Sequence, residues 1–403
     1  MGGKGTIFLI LGFSLIFLVL GFNFANLTKS SVDNYSSYFT NTKAHDIAVS
    51  GANVAANCFF RNPAWTANGY NNISFSNGTM SLSIATIDVV KNLKRITSVG
   101  TYNGVTKTIT LTLQPSRFSR FAYYSVVEPS SIWWHGTDTV YGPFHTQSNL
   151  QAARHPVFWG KATYKGTLKY YTSKSQDKPY FYGGSGKDDI PMPTSGIAGL
   201  ETAANANGKN FNAPSTDTLY FNFNGANVTY KHKYTGTDTT VALAALAPNG
   251  VIFAKNAIIR LKGNIQGQYS IASNSDIYLD DDITCHTNPQ TTPSSTDLIG
   301  ILSKKNVIIT NNIPNQSNIK IQASCYAETG GFTAQQYDTR PKSGTIQLYG
   351  GIIQNTRGAV GTFDSWGIKT GFNKSYRYDD RLMVNFPPFY PGTGFFEIVS
   401  WYE

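Results

Sequence analysis

The feature that most constrains this chain is Thr6–Phe22 (TIFLILGFSLIFLVLGF), an unbroken run without a charged residue. As a helix it is about 25 Å long, and extension through Phe24 and Leu27 reaches the roughly 30 Å of a bilayer's hydrocarbon core. Lys4 precedes the run, and no acidic residue occurs before Asp33. A buried core helix has a similar composition, but this density of apolar residues beside the N-terminus predicts insertion in a membrane.

A secretory signal would end in a small-x-small cleavage site. Here the run continues into NFANLTKSSVDNYSSYFTNTKAHDIAVSGANVAANCFF, with no proline before Pro63. Val32, Tyr35, Phe39, Ile47, Gly51, Val54 and Cys58 recur mainly at steps of three and four, an amphipathic helical pattern. The spacing predicts one helix over 6–60, of roughly 50 residues and about 75–80 Å. It is apolar all round in its first half and one-sided in its second. A membrane anchor alone does not need the second half.

The Lys4-Gly5 junction, the apolar segment from Thr6 and the small-residue stretch Ala44–Ala56 resemble the PilX-type minor pilins. The resemblance implies a leader over residues 1–5, cut between Gly5 and Thr6. It also implies other pilin subunits and an inner-membrane assembly machinery as partners. The chain would be a single-pass precursor in a bacterial inner membrane, and then part of the cell surface or an extracellular filament. Major pilins carry a glutamate at the fifth mature position; here it is Ile10, as in PilX-like proteins and the tip pseudopilins of type II secretion. That departure favours a minor, tip or priming subunit over an abundant shaft subunit. Met1–Thr6 also fits the myristoylation pattern, but an acyl chain adds little in front of a full membrane span.

Charged residues make up 14% of the chain, against roughly 25% in an ordinary soluble domain. Gly, Asn, Ser, Thr and aromatics replace them, which suits short strands, many turns and an extracellular setting. The net charge of +10 would attract nucleic acid, anionic lipid or acidic polysaccharide. Yet the basic residues are scattered, with Lys91, Lys94 and Arg95 the densest group, and no helix-turn-helix or zinc pattern occurs. Nucleic acid is therefore not an expected partner. Cys58, Cys285 and Cys325 make an odd set, in which Cys285–Cys325 is the expected pair if any disulfide forms.

Arg95–Leu113 reads as two strands around Asn103-Gly104, the dipeptide of a type I′ turn. That turn sets Tyr102 opposite Val105 and Ile96 opposite Leu111. With a second strand pair in Ile73–Ile87, a small antiparallel sheet is expected over 61–130, packed on the long helix as in a pilin head. Beyond Gly250 the segments Phe253–Leu261, Ile271–Leu279 and Ile301–Ile309 align without gaps, once a loop of about twelve residues within Asp280–Asp297 is allowed. Phe253, Ile271 and Ile301 coincide, as do Ile259, Ile277 and Val307, and Leu261, Leu279 and Ile309. Strands are also expected at Asn318–Ala323 and Gly344–Tyr349. Such a period predicts a parallel β-solenoid. Asp138–Leu150 and His155–Tyr164 read as earlier rungs, and 165–241 as an insertion. The fold class is thus mainly β with one long N-terminal helix: a pilin-like helix and small antiparallel sheet, then a β-solenoid over 131–403. This distal half resembles an uncharacterised envelope domain (domain of unknown function 4900). The shared features are WWHGTDTVYGPFHT, GVIFAKN and the ending KSYRYDDRLMVNFPPFYPGTGFFEIVSWYE, which is expected to cap an open solenoid end.

No catalytic motif of the G-x-S-x-G, P-loop or H-E-x-x-H type occurs. Asp280, Asp281 and Asp282 fall at an expected corner. They read as a solvated turn, with Ca²⁺ binding or acid–base catalysis as the alternatives. No metal or other cofactor is expected apart from that calcium option. His135, His145 and His155 recur every ten residues, but Gly142-Pro143 breaks any single strand through them. Trp133, Trp134, Trp159, Tyr170 and Tyr171 would either fill the core or stack on sugar rings. Two functions follow. One is a non-catalytic minor pilin or pseudopilin acting in filament assembly, adhesion or secretion, with a surface carbohydrate or protein as receptor. The other is a membrane-anchored, solenoid-based enzyme or binding protein for carbohydrate.

Overall fold

The computed structural model describes residues 3–88, 91–193, 195–215, 217–364 and 367–403. The chain forms one long N-terminal helix followed by strands, most of them in parallel sheets. It divides into two compact units: residues 1–115 with 395–403, and residues 116–394. The region read as 61–130 therefore splits at Pro115, and the last residues of the chain belong with the first.

In the first unit, helix α1 runs unbroken from Lys4 to Arg61, a length of about 87 Å. Residues 4–39 are exposed throughout. The buried stripe is Ala44, Ile47, Ala48, Gly51, Ala52, Ala55, Ala56 and Phe59. This is narrower and smaller than the expected apolar face: Val32 and Tyr35 are exposed, and Val54 and Cys58 only half-buried. Small residues win because α1 lies close against the sheet. A Cβ on Gly51 would strike the Ser98 hydroxyl, and one on Gly100 would strike the α1 backbone at Ala44 and Ala48. The Ser98 hydroxyl donates to the Ala48 carbonyl at 2.7 Å.

The sheet is antiparallel, with strands β1 (Ile73–Phe75), β2 (Gly78–Asp88), β3 (Leu93–Tyr102) and β4 (Val105–Arg117) in order. Asn103 and Gly104 both have positive φ, 45° and 81°, as a type I′ turn requires. Tyr102 faces Val105 and Ile96 faces Leu111. The C-terminal strand adds beside β4, and its Phe396 meets Phe59 of α1 edge-on at 4.7 Å. The C-terminal strand thus completes the antiparallel sheet.

The second unit is a parallel β-solenoid whose rungs are not in sequence order. Among the described residues its ten-stranded sheet begins with 185–187, 162–164, 144–146 and 123–127, the last of these labelled β5. It continues with 351–356, 324–327, 298–303, 268–273, 251–255 and 209–212. The chain thus enters mid-sheet at β5 and climbs to 185–187. It then crosses the whole sheet through the helix Gly196–Asn207, restarts at 209–212, and climbs back until Ile352 pairs with Tyr123. The stretch 165–241, expected as an insertion, is instead the last rung, the crossover and the first rung at the opposite end, edged by two antiparallel strands, 227–232 and 239–242.

Both faces of the ten-stranded sheet are covered, so a strand such as Leu298–Ser303 is buried at every position. The inner face joins the solenoid core. The outer face packs under Ile197, Leu200, Ala203 and Ala204 of the crossover helix and under Phe386 and Tyr390. The segment before the C-terminal strand therefore lies along the solenoid's side and does not cap its end. The register also differs at one place. Ile259 pairs with Ile277 and Ile277 with Val307, as the spacing predicts, but Ile271 pairs with Ile252, not Phe253. An extra residue sits in the corner at Asn256, whose φ is 66°. A one-residue slip reverses the face, so Phe253 packs outward under the crossover helix.

Candidate functional site

Three regions carry the residues that the sequence singles out. The first is the free part of α1. Gly5 and Thr6 lie in its first turn and are exposed; Ile10 is 60% exposed. The first turn holds no acid. The helix is long and apolar enough to cross a membrane, and no residue of its apolar window is buried.

The second is the acidic triplet. Asp280, Asp281 and Asp282 lie within the strand Ile277–Cys285, not at a corner. Leu279 and Ile283 are both buried, and the register shifts between them: a step from Leu261 to Gly263 faces a step from Leu279 to Ile283, so Asp281, which plain alternation would turn inward, stays only half-buried. The three carboxylates have different partners. Arg260 clamps Asp280 through Nε (2.9 Å) and Nη2 (2.6 Å), and Thr310 donates to it at 2.7 Å. Asp282 accepts the Lys320 amide at 2.7 Å, and Asp281 the Asp282 amide at 2.8 Å. Among the described residues no three His, Cys, Asp or Glu side chains converge as a metal site.

The histidines separate as the break at Gly142-Pro143 predicts. His135 ends the strand Trp134–His135, in a different sheet from His145. His155 sits in a positive-φ corner, with its Nδ1 at 2.9 Å from the Lys178 carbonyl. His145 is buried, with Nδ1 at 2.8 Å from the Thr163 hydroxyl and its ring stacked on Tyr124. Burial pushes its pKa down to about 4, against the opposing pull of Asp188 and Asp189. The cysteines are all free. Cys285 and Cys325 lie on strands of different sheets, and burial pushes both thiols up to about 12.

The third region escaped the sequence reading. At the seam where β5 meets 351–356, Arg357 donates to Glu128 at 3.0 Å and stands 4.0 Å over the Trp134 ring. Tyr123 donates to the same carboxylate at 2.8 Å. Beside them Lys374 lies 3.2 Å from both oxygens of Asp138. Burial raises the Asp138 pKa, but Lys374, Arg357 and the His135 amide together bring it below the ordinary value. The two acids and two bases balance. The Glu128 side chain is wholly buried and that of Arg357 is 4% exposed, so reactants from solvent do not reach this pair. Its partners are more than two hundred residues apart in sequence, and no local pattern marks them. Of the expected aromatics, Trp134 belongs to this core, Trp133 meets Tyr171 edge-on at 5.2 Å, and Trp159 is half-exposed.

No family model and no curated protein matches the chain. Among solved structures it is similar to the competence-associated pilin ComZ from Thermus thermophilus. The identity is 11% and the TM-score 0.34, over 90% of this chain and 97% of that one. A TM-score of that size does not by itself assign a fold.

Proposed function

We propose that this chain is a non-catalytic, pilin-like surface subunit, a minor or tip component of a type IV pilus-like filament or secretion pseudopilus. The observation that carries this reading is the division of α1. Its apolar residues up to Tyr38 are exposed, Phe39 meets Tyr102 of the sheet edge-on, and its small-residue stripe from Ala44 to Phe59 is buried. A helix built this way inserts first in a membrane and then among the equivalent helices of neighbouring subunits, while its sheet stays outside. Ile10 supports the minor role, because an apolar side chain there offers no carboxylate to a neighbour's terminal amine. Supporting the absence of catalysis, Asp280 is held in a bidentate ion pair and Glu128 is sealed from solvent.

The test is processing. Co-expressed with a prepilin peptidase, the mature protein should begin at Thr6 by N-terminal sequencing, and a Gly5→Leu variant should stay uncut. An intact Met1 in both, or cleavage far downstream, removes the pilin reading.

A further inference from the structure

One end of the solenoid presents a flat aromatic layer. The strand Tyr180–Phe181 is the last on its sheet, and the rings of Tyr180 and Tyr182 lie side by side, 6.5 Å apart and within 21° of parallel. Each is backed by a ring of the rung beneath. Tyr182 stacks on Trp159 at 4.4 Å, and Tyr180 lies against His155 at 5.4 Å, tilted by 31°. Trp159 stacks in turn on Tyr141 at 6.1 Å. Although these neighbours occupy one face of each terminal ring, Tyr180 and Tyr182 remain 51% and 63% exposed. The free area is therefore the outer face. Nothing lies within 4 Å of where a Cβ would stand on Gly184 or Gly186, so the neighbouring chain does not obstruct it.

A groove of about 1030 Å³ adjoins the layer, lined by His155, Lys174, Lys178 and the aromatic side chains of 180–182. Its charged residues are lysines, and among the described residues no acid lines it. A pyranose ring has an apolar C–H face that packs on an aromatic face, while its hydroxyls stay in water. A carboxylate carried on such a ring would meet Lys174 or Lys178. A second copy, adding edge to edge, would bring these lysines against their own equivalents, which like-charge repulsion disfavours. The backing rings hold the platform in place before a ligand arrives, so little ordering cost remains.

We infer that this end of the solenoid binds an acidic, uronate-type polysaccharide, with sugar rings on Tyr180 and Tyr182 and carboxylates on Lys174 and Lys178. The inference is independent of how α1 is processed or assembled. Calorimetric titration of the full chain in detergent micelles with oligogalacturonate, against a maltooligosaccharide of equal length, tests it. Saturable binding of the acidic oligomer is expected, weakening with salt. Tyr180→Ala with Tyr182→Ala should weaken it by about tenfold or more, whereas Tyr182→Phe should keep it. Lys178→Gln, at a solvated position that the fold does not need, should lower affinity for the acidic oligomer alone. Absence of saturable binding overturns the inference, as does an affinity indifferent to both the tyrosine and the lysine variants. A dimer in sedimentation that Tyr182→Ala disperses also overturns it, and assigns the platform to a second copy.

Discussion

His145 shows how a single residue's burial becomes a property of the whole protein. Its ring is fully buried beside Phe121 and Tyr124, which disfavours the charged form and takes its pKa from 6.5 to about 4. Between those values the unfolded chain binds a proton that the folded chain does not, so stability rises with pH through this window. The contribution is complete above pH 6.5, is lost as pH falls, and levels off near 4. At most it is on the order of 3 kcal/mol. Urea melts at a series of pH values should show a shallower slope between pH 4 and 6.5 in a His145→Gln variant than in the parent. An equal slope in both would mean that His145 is not buried in its neutral form. The sequence displayed His145 as one of three evenly spaced histidines. Its burial was not legible there, because it depends on Tyr124, its partner on the adjacent strand of the solenoid.

At the scale of elements, α1 and the antiparallel sheet were the most legible parts. Periodicity and the absence of proline predict a helix over 6–60, and the helix spans Lys4–Arg61. Asn103-Gly104 sets both the turn and the register of β3 and β4. The buried face of α1 was misjudged, since periodicity reports which positions share a side but not how closely a sheet approaches. Gly51 decides that distance, and Gly51→Leu should destabilise this unit by about 1–3 kcal/mol. Thermal unfolding followed by circular dichroism checks it; a melting temperature equal to the parent's would place α1 farther from Met80 and Ser98. The solenoid strands were likewise legible from their period. The slip at Asn256 was not, because a corner absorbs one residue without disturbing the alternation on either side.

For the molecule as a whole, the unexpected result is the permuted order of the solenoid's rungs. Two arms, 123–187 and 209–377, meet where Ile352 pairs with Tyr123 and Tyr376 with Val140. The seam between them holds the buried Glu128–Arg357 pair and, beside it, the partly exposed Asp138–Lys374 pair. Losing one member of a buried pair is costly, typically about 3–5 kcal/mol, so these pairs favour one meeting point over neighbouring registers. The connector at Asp188 and Asp189 is exposed, and a protease site inserted there would leave the two arms on separate polypeptides. After cutting, the pieces should elute together from a size-exclusion column in native buffer and separate only in denaturant. Separation under native conditions would show that the seam is weaker than the connected chain suggests.

The sequence alone determined the free apolar helix, the turn-defined sheet and the existence of a parallel solenoid. Each follows from local rules: composition over one span, a dipeptide that fixes a turn, a repeat that needs a stacked neighbour. Tertiary structure decided the order of the rungs, the return of the C-terminal strand to the first unit and the use of the aromatic ending along the solenoid's side. It also decided which charges are sealed in the seam and which rings are left open at the end. These depend on pairings between residues hundreds of positions apart, and a chain's local pattern carries no record of which distant edge it will meet.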